Sequence, residues 1–294
     1  MSLIAYLRTL GRLPLQTIAT LVSTLFGMEL SVGQVSAILG RVATQGKRSY
    51  EELGNAVRDS DCVHADETGW RENGQNGYGW SFSTPCVRYF VYDRSRGHPV
   101  PERVLGDAFR GVLISDFYSG YHYYLGPHQR CWVHLLRDVG ELKQQYPMPG
   151  VLLWARKLRD IYDRAKAFSA GGAKARRAAR LEFQAELLEL AAPYGNACLP
   201  QSVLCQRLVR FETELFTFVE YPGVPSENNA AERSVRPRVI ARKISGGTRS
   251  ATGSKTMAVL ASLFETWRLR GEDCLEACRQ MLIASQRPAP APAS

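Results

Sequence analysis

Gly111-Val-Leu-Ile-Ser-Asp116 is a short, almost wholly apolar run that stops on a carboxylate. With no polar residue alternating inside it, the run reads as a strand covered on both faces, at the centre of a sheet. Upstream, Cys62-Val-His-Ala-Asp-Glu67 reads as another short strand, with Asp66 near its end. Between the two, residues 70–80 contain Asn73-Gly74 and Asn76-Gly77, both hairpin-turn signals. Tyr78, Trp80 and Phe82 alternate on one strand, Val87, Tyr89 and Val91 on the next, and residues 99–109 suit a helix. The order strand, strand, strand, helix, strand predicts an α/β fold around a mixed sheet. In such a sheet the ends of neighbouring central strands lie side by side, so Asp66 and Asp116 could meet.

Downstream, residues 128–131 suit a further strand, followed by a helix through Trp132, Leu135, Leu136 and Val139. Residues 152–218 are almost entirely helix-forming, broken at Gly171-Gly172 and Pro193, and read as a helical insertion. Helical pattern resumes near Asn228 and again over 253–268 and 272–285, and the Pro-Ala run at 287–294 reads as a disordered tail. At the other end, Leu15–Phe26 has helical spacing, Gly27 to Leu30 forms a turn, and Ser31-Val-Gly-Gln34 resembles a capping box opening a helix through about Val42. That pair is either a helix-turn-helix or a plain helical hairpin. Residues 45–60 read as a polar, charged connection.

The 294-residue chain is 45% apolar and 22% charged, ordinary for a soluble globular protein. No run of apolar residues is long enough to span a bilayer, and the first residues lack a signal-peptide pattern, so no membrane partner and a cytoplasmic location are expected. Seven scattered cysteines without a Cys-x-x-Cys read as reduced thiols. Cys62-Val-His64 and Cys131-Trp-Val-His134 could supply four zinc ligands only if their segments meet, and packing or support of a site is the preferred reading. Of the net charge of +9, residues 154–183 and 227–270 each carry nine bases against three acids. Positive charge concentrated in this way suits a polyanion such as nucleic acid, while two solvated helix faces would give the same count.

The second basic segment opens with Glu227-Asn-Asn-Ala-Ala-Glu-Arg-Ser-Val-Arg-Pro-Arg-Val-Ile-Ala-Arg-Lys243. Wound as a helix, it aligns Asn228, Asn229, Glu232, Arg236, Val239 and Lys243, a side with one apolar residue. Pro237 disfavours helical geometry at Arg236, so a kink or stop is expected there. Two strand-end aspartates with a third acid from such a helix would suit Mg2+ or Mn2+, hard cations that take oxygen ligands. Two such ions, roughly 4 Å apart, support phosphoryl transfer at a phosphodiester. Singly, Asp66 could end a strand and Asp116 could cap a helix.

Asp66-Glu-Thr68, Ser115-Asp-Phe-Tyr-Ser-Gly-Tyr121, Cys131-Trp-Val-His134 and Asn228-Asn-Ala-Ala-Glu-Arg-Ser-Val-Arg-Pro237, followed by Arg242-Lys243, resemble the insertion-sequence sixty-six (TnpC-like) family of transposases. The resemblance runs from near Leu15 to about Leu282 with the four motifs in order. It implies a ribonuclease-H-like core in which Asp66, Asp116 and Glu232 form an Asp-Asp-Glu catalytic triad binding Mg2+ or Mn2+. Glu227, before the paired asparagines, is then a helix-start or supporting residue. Arg233, Arg236, Arg242 and Lys243 would bind DNA phosphates. Asn228, Asn229, His134 and Tyr121 would support the site, Tyr118 and Tyr121 by packing or by stacking on bases.

The implied organisation is a helix-turn-helix-like DNA-binding region at 1–58, a core at 59–144 and 226–285, and a helical insertion at 145–225. The implied reaction is cleavage at the ends of an insertion sequence and strand transfer into target DNA. Implied partners are double-stranded DNA, further copies of the chain in a synapse and accessory proteins of the same element. A related nuclease, or a non-catalytic remnant that represses or competes, are the alternatives. Family members usually carry a longer leader and a C-terminal extension, so a shorter lineage or a truncated copy is expected here.

Overall fold

Four helices come first: α1 (Ser2–Thr9), α2 (Leu15–Phe26), α3 (Val32–Gln45) and α4 (Lys47–Arg58). The capping box forms as its spacing predicts: the Ser31 hydroxyl accepts the Gln34 N–H at 3.2 Å, and the Gln34 side chain accepts the Ser31 N–H at 2.7 Å. The expected connection over 45–60 is instead mostly helix. Leu53, Gly54 and Val57 recur at helical spacing and are buried, and Tyr50 stacks on Tyr89 with ring centroids 4.7 Å apart. The charges that made this segment look like a linker form Lys47–Glu51 and Arg48–Glu52 pairs on its outer face.

Three antiparallel strands follow, β1 (Cys62–Glu72), β2 (Gln75–Ser83) and β3 (Arg88–Asp93), with β2 between the others. Asn73 and Gly74 both take positive φ, 49° and 77°, as a two-residue hairpin turn requires. Pairing therefore continues to Glu72 opposite Gln75, and Asn76-Gly77 lies inside β2. This corrects the position of Asp66. It sits in the interior of an eleven-residue strand, opposite Ser81, and not near the strand's end. Helix α5 (Pro99–Leu105) stops at Gly106, shorter than its pattern implied.

The computed structural model describes residues 1–169, 171–195 and 198–285, so the Pro-Ala run at 287–294 lies outside the described residues. The chain divides into two compact units, one of residues 110–229 and one of residues 1–109 with those from 230 onward. In the 110–229 unit, β4 (Val112–Ser115) and β5 (His128–Arg130) pair in parallel. Helices α6 (Trp132–Gln145), α7 (Pro149–Ala167), α8 (Ala173–Ala191), α9 (Ser202–Arg210), α10 (Glu212–Leu215) and α11 (Thr217–Glu220) follow. Helix α7 ends before Gly171-Gly172 and α8 ends before Pro193, where the sequence placed the breaks. Trp132, Trp154, Leu158, Leu187 and Phe216 are buried in one core. Each such side chain contributes on the order of 1.5–3 kcal/mol when fully removed from water.

The chain returns to the first unit through α12 (Asn229–Ser245), α13 (Ala251–Leu269) and α14 (Cys274–Ala284). Leu260 and Phe264 of α13 and Cys278 of α14 share a core with Ile18 and Val22 of α2 and Val35 and Val42 of α3. Helix α13 also serves the outer edge of β3. Ser262 accepts the Phe90 N–H at 2.8 Å, and Thr266 both accepts from and donates to the Arg88 backbone. Tyr50 donates to the Phe90 carbonyl at 2.8 Å. Side chains thus occupy backbone groups that would otherwise template another strand. With an antiparallel trio and a parallel pair among many helices, the molecule is mixed α/β. Among the described residues no helix is long and apolar enough to cross a membrane.

Candidate active site

Within the first unit, Asp66 is half-buried on β1, and its Oδ1 accepts the Glu67 N–H at 2.9 Å. Three residues on, Gly69 receives the Arg242 guanidinium on its carbonyl oxygen. A Cβ at 69 would stand 2.8 Å from Arg242 Nη1, so glycine leaves room for the tip of that guanidinium. A second tie joins the Ser83 and Ser234 hydroxyls at 2.7 Å. Ala231, Ser234 and Val235 form the buried side of α12, whereas Arg233, Arg236 and Lys243 are exposed. Glu232 lies in the first turn of this helix and is half-buried.

Of the kink or stop expected at Pro237, the stop does not occur. Helix α12 runs through it to Ser245, although proline has no N–H to give the carbonyl four residues earlier. Beyond Pro237 the helix is fastened by Arg238, which donates to the Met257 carbonyl at 2.8 Å and lies 4.7 Å over the Phe90 ring. These contacts, with Arg242 on Gly69, hold the helical path past the missing bond. The side carrying Asn229, Glu232, Arg236 and Lys243 is therefore continuous, and it is Asn228 that falls outside the helix.

In the second unit, Asp116 follows β4 directly, and its Oδ1 accepts the Tyr118 N–H at 2.9 Å. Its carbonyl oxygen accepts from Arg130 at 2.7 Å and from the Ser115 hydroxyl at 2.8 Å. Arg130 is buried against Glu214 at 2.5 Å, and its guanidinium lies over Phe211. His128 bonds Ser115 at 2.9 Å, and burial, with Arg130 adding to the effect, holds its pKa well below the ordinary imidazole value although Glu214 lies 3.4 Å from its Nδ1. The backbone at Asp116 is thus fixed by a buried polar network while its side chain stays half-buried. Tyr121 is fully enclosed and meets Tyr118 edge-on at 6.1 Å, which makes packing its role and excludes stacking on a base.

The start of α6 gathers the other motif residues of this unit. Cys131 Sγ accepts the Asn228 N–H at 3.2 Å, and the Trp132 N–H reaches the Ser226 carbonyl at 2.9 Å. His134 stands one turn into the helix, with a ring nitrogen within 4.8 Å of Cys131 Sγ. Glu227 is engaged on both oxygens, by Asn229 at 3.1 Å and by Lys166 at 3.4 Å. In the first unit, burial pushes the Cys62 thiol up to about 12, with Asp61 adding to the effect.

Residues 1–256 match a family profile described as Transposase IS66 family. The chain belongs to that family. Among curated proteins it is similar to three from Sinorhizobium fredii, all described as uncharacterized. Protein y4jO is 29% identical over 176 residues, covering 57% of this chain and 50% of the relative. Protein y4jD is 25% identical over 286 residues, covering 84% and 55%, and y4qI is 24% identical over 294 residues, covering 87% and 53%. The chain spans about half the length of these relatives.

Membership implies DNA transposition as the family's function, and the matched span includes Asp66, Asp116 and Glu232. Three structural partners escaped the sequence reading. Gly69 did leave a signal, because a glycine inside a strand marks close approach of another group. Lys166 and Arg130 left none, being 61 and 84 residues from the carboxylates they pair with.

Proposed function

We propose that this chain carries out the DNA chemistry of transposition: cleavage at the ends of an insertion sequence, then joining of the exposed 3′-hydroxyl to target DNA. The observation that carries this reading is the family match across all three motif acids. Asp66, Asp116 and Glu232 are the catalytic carboxylates of the proposal. As a donor set they fit a hard divalent cation such as Mg2+ or Mn2+, which takes oxygen ligands. Such ions, when bound, would favour the deprotonated nucleophile and stabilise the leaving oxygen.

The remaining roles follow from exposure and charge. Arg233, Arg236 and Lys243 present their cations to solvent on α12 and bind backbone phosphates. Arg242 bonds Gly69 and acts first by holding α12 against β1, keeping its charge for a phosphate nearby. Glu227, engaged by Lys166, positions the start of α12 and is not a ligand. The ribonuclease-H-like core, the DNA-binding role of α2 and α3, and assembly of copies in a synapse belong to the same proposal.

Purified protein given a duplex with the element's end and Mg2+ or Mn2+ should nick it and transfer the strand. Asp116→Ala should abolish both steps while leaving DNA binding intact. Full activity in that variant would overturn the assignment. Cleavage without joined products would instead identify a nuclease.

A further inference from the structure

At the tip of the β1–β2 hairpin a groove of about 270 Å3 opens against the far end of α12. Arg71, Asn76, Tyr78 and Arg242 line it, with Gly69 among the residues at its base. Among the described residues, no carboxylate lines the groove. Glu72, adjacent in sequence, is buried and engaged by Ser254 at 2.8 Å and by Arg94 at 3.2 Å. Glu67 is paired with Arg96 at 2.8 Å. Two guanidiniums with no acid among them favour an anion.

The groove is also braced. The Arg71 carbonyl accepts the Thr248 N–H at 2.9 Å, and the Asn73 N–H reaches the Thr248 carbonyl at 2.8 Å. The adjoining loop takes left-handed φ at Gly246 and Gly247 and carries exposed Arg249. Arg71 is itself exposed, so its charge is available to a ligand. Half-buried Tyr78, whose ring has the Arg96 guanidinium 5.8 Å from its centroid, and Asn76 add an aromatic ring and a side-chain amide. Phosphate-binding cations, a ring and an amide together are the recognition set of a nucleotide. The bases of a duplex are already stacked on one another, so an aromatic ring in a groove suits an unpaired base better.

We infer that this groove holds an unpaired nucleotide of a DNA strand, with Arg71 and Arg242 on its phosphates and Tyr78 against its base. The inference rests on the transposase reading and deepens it, giving the first unit a single-strand grip on the strand that carries Asp66. Stacking on an aromatic ring tolerates any base, so the grip is not sequence-specific.

The test uses the full chain in EDTA, so that binding is read apart from chemistry. Anisotropy of a labelled twenty-nucleotide single strand and of the matching duplex is titrated at several salt concentrations. Tyr78→Ala should weaken single-strand binding by roughly fivefold or more and leave duplex binding unchanged, while Tyr78→Phe restores the wild-type value. Arg71→Ala should weaken single-strand binding and reduce its salt slope by about 0.7. Unchanged single-strand binding in Tyr78→Ala and Arg71→Ala overturns the groove while leaving the transposase reading intact. Equal loss for single strand and duplex in Tyr78→Ala, without rescue by Tyr78→Phe, also overturns it. Wild-type protein that binds neither DNA overturns both readings.

Discussion

Glu72 shows how much a single residue position depends on partners far along the chain. Its carboxylate is buried at 3% exposure beneath the hairpin. The Ser254 hydroxyl bond holds its pKa below the ordinary carboxylate value, with Arg94 adding to the effect. Ser254 in turn meets Thr248, whose hydroxyl accepts the Trp70 indole N–H at 3.1 Å. A lowered carboxylate pKa stabilises the fold above the unfolded value of about 4.3, and that stability is lost as pH falls through the folded value. Ser254→Ala should raise the Glu72 pKa toward normal. The variant should be less stable than wild type at pH 7, and the difference should shrink as pH drops from about 6 toward 3, read by urea unfolding at each pH. A difference that stays constant with pH would show that Glu72 is not the cause.

At the scale of elements, most of the architecture was legible because short-range chemistry decides it. The capping box at Ser31, the Asn73-Gly74 turn and the helix breaks at Gly171-Gly172 and Pro193 are local signals with local outcomes. Two misreadings share the opposite cause. Helix α4 looked like a linker because its apolar side is narrow and gains its stability from β3 and α13. Helix α12 was expected to kink or stop because Pro237 removes a local bond, yet Arg238 and Arg242 tie its second half to Met257 and Gly69. Because the surroundings impose the helix, Pro237→Ala should restore the missing N–H and raise stability, by at most about 3 kcal/mol. Denaturant unfolding measures this directly. A destabilised variant would mean that the proline's own geometry is required by the packing of α12.

On the scale of the whole molecule, the charge pattern has to be read after folding. The two basic segments look equal in sequence, with nine bases against three acids each. In the 154–183 segment, Arg159 pairs with Asp163, Arg164 with Asp160 and Glu186, Lys166 with Glu227, and Arg180 with Glu220. Glu186, Glu220 and Glu227 lie outside the counted window, so a local count could not see them. In the 227–270 segment Arg268 pairs with Glu265 and Arg270 with Glu272, while Arg233, Arg236, Lys243, Arg249 and Lys255 are exposed, as Arg156, Lys157, Lys174 and Arg177 are in the first segment, so pairing differs from residue to residue in both. Cations already held by carboxylates release fewer counterions from DNA than cations that meet phosphate directly. The candidate site was legible in the same uneven way: its motif acids were readable, but Lys166 on Glu227 was not. Lys243→Ala should therefore reduce the slope of log affinity against log salt for duplex DNA by about 0.9, whereas Arg164→Ala should leave it nearly unchanged. Equal slope changes in the two variants would mean that the ion pairs of α7 and α8 open on DNA, and that both basic segments contact the polyanion.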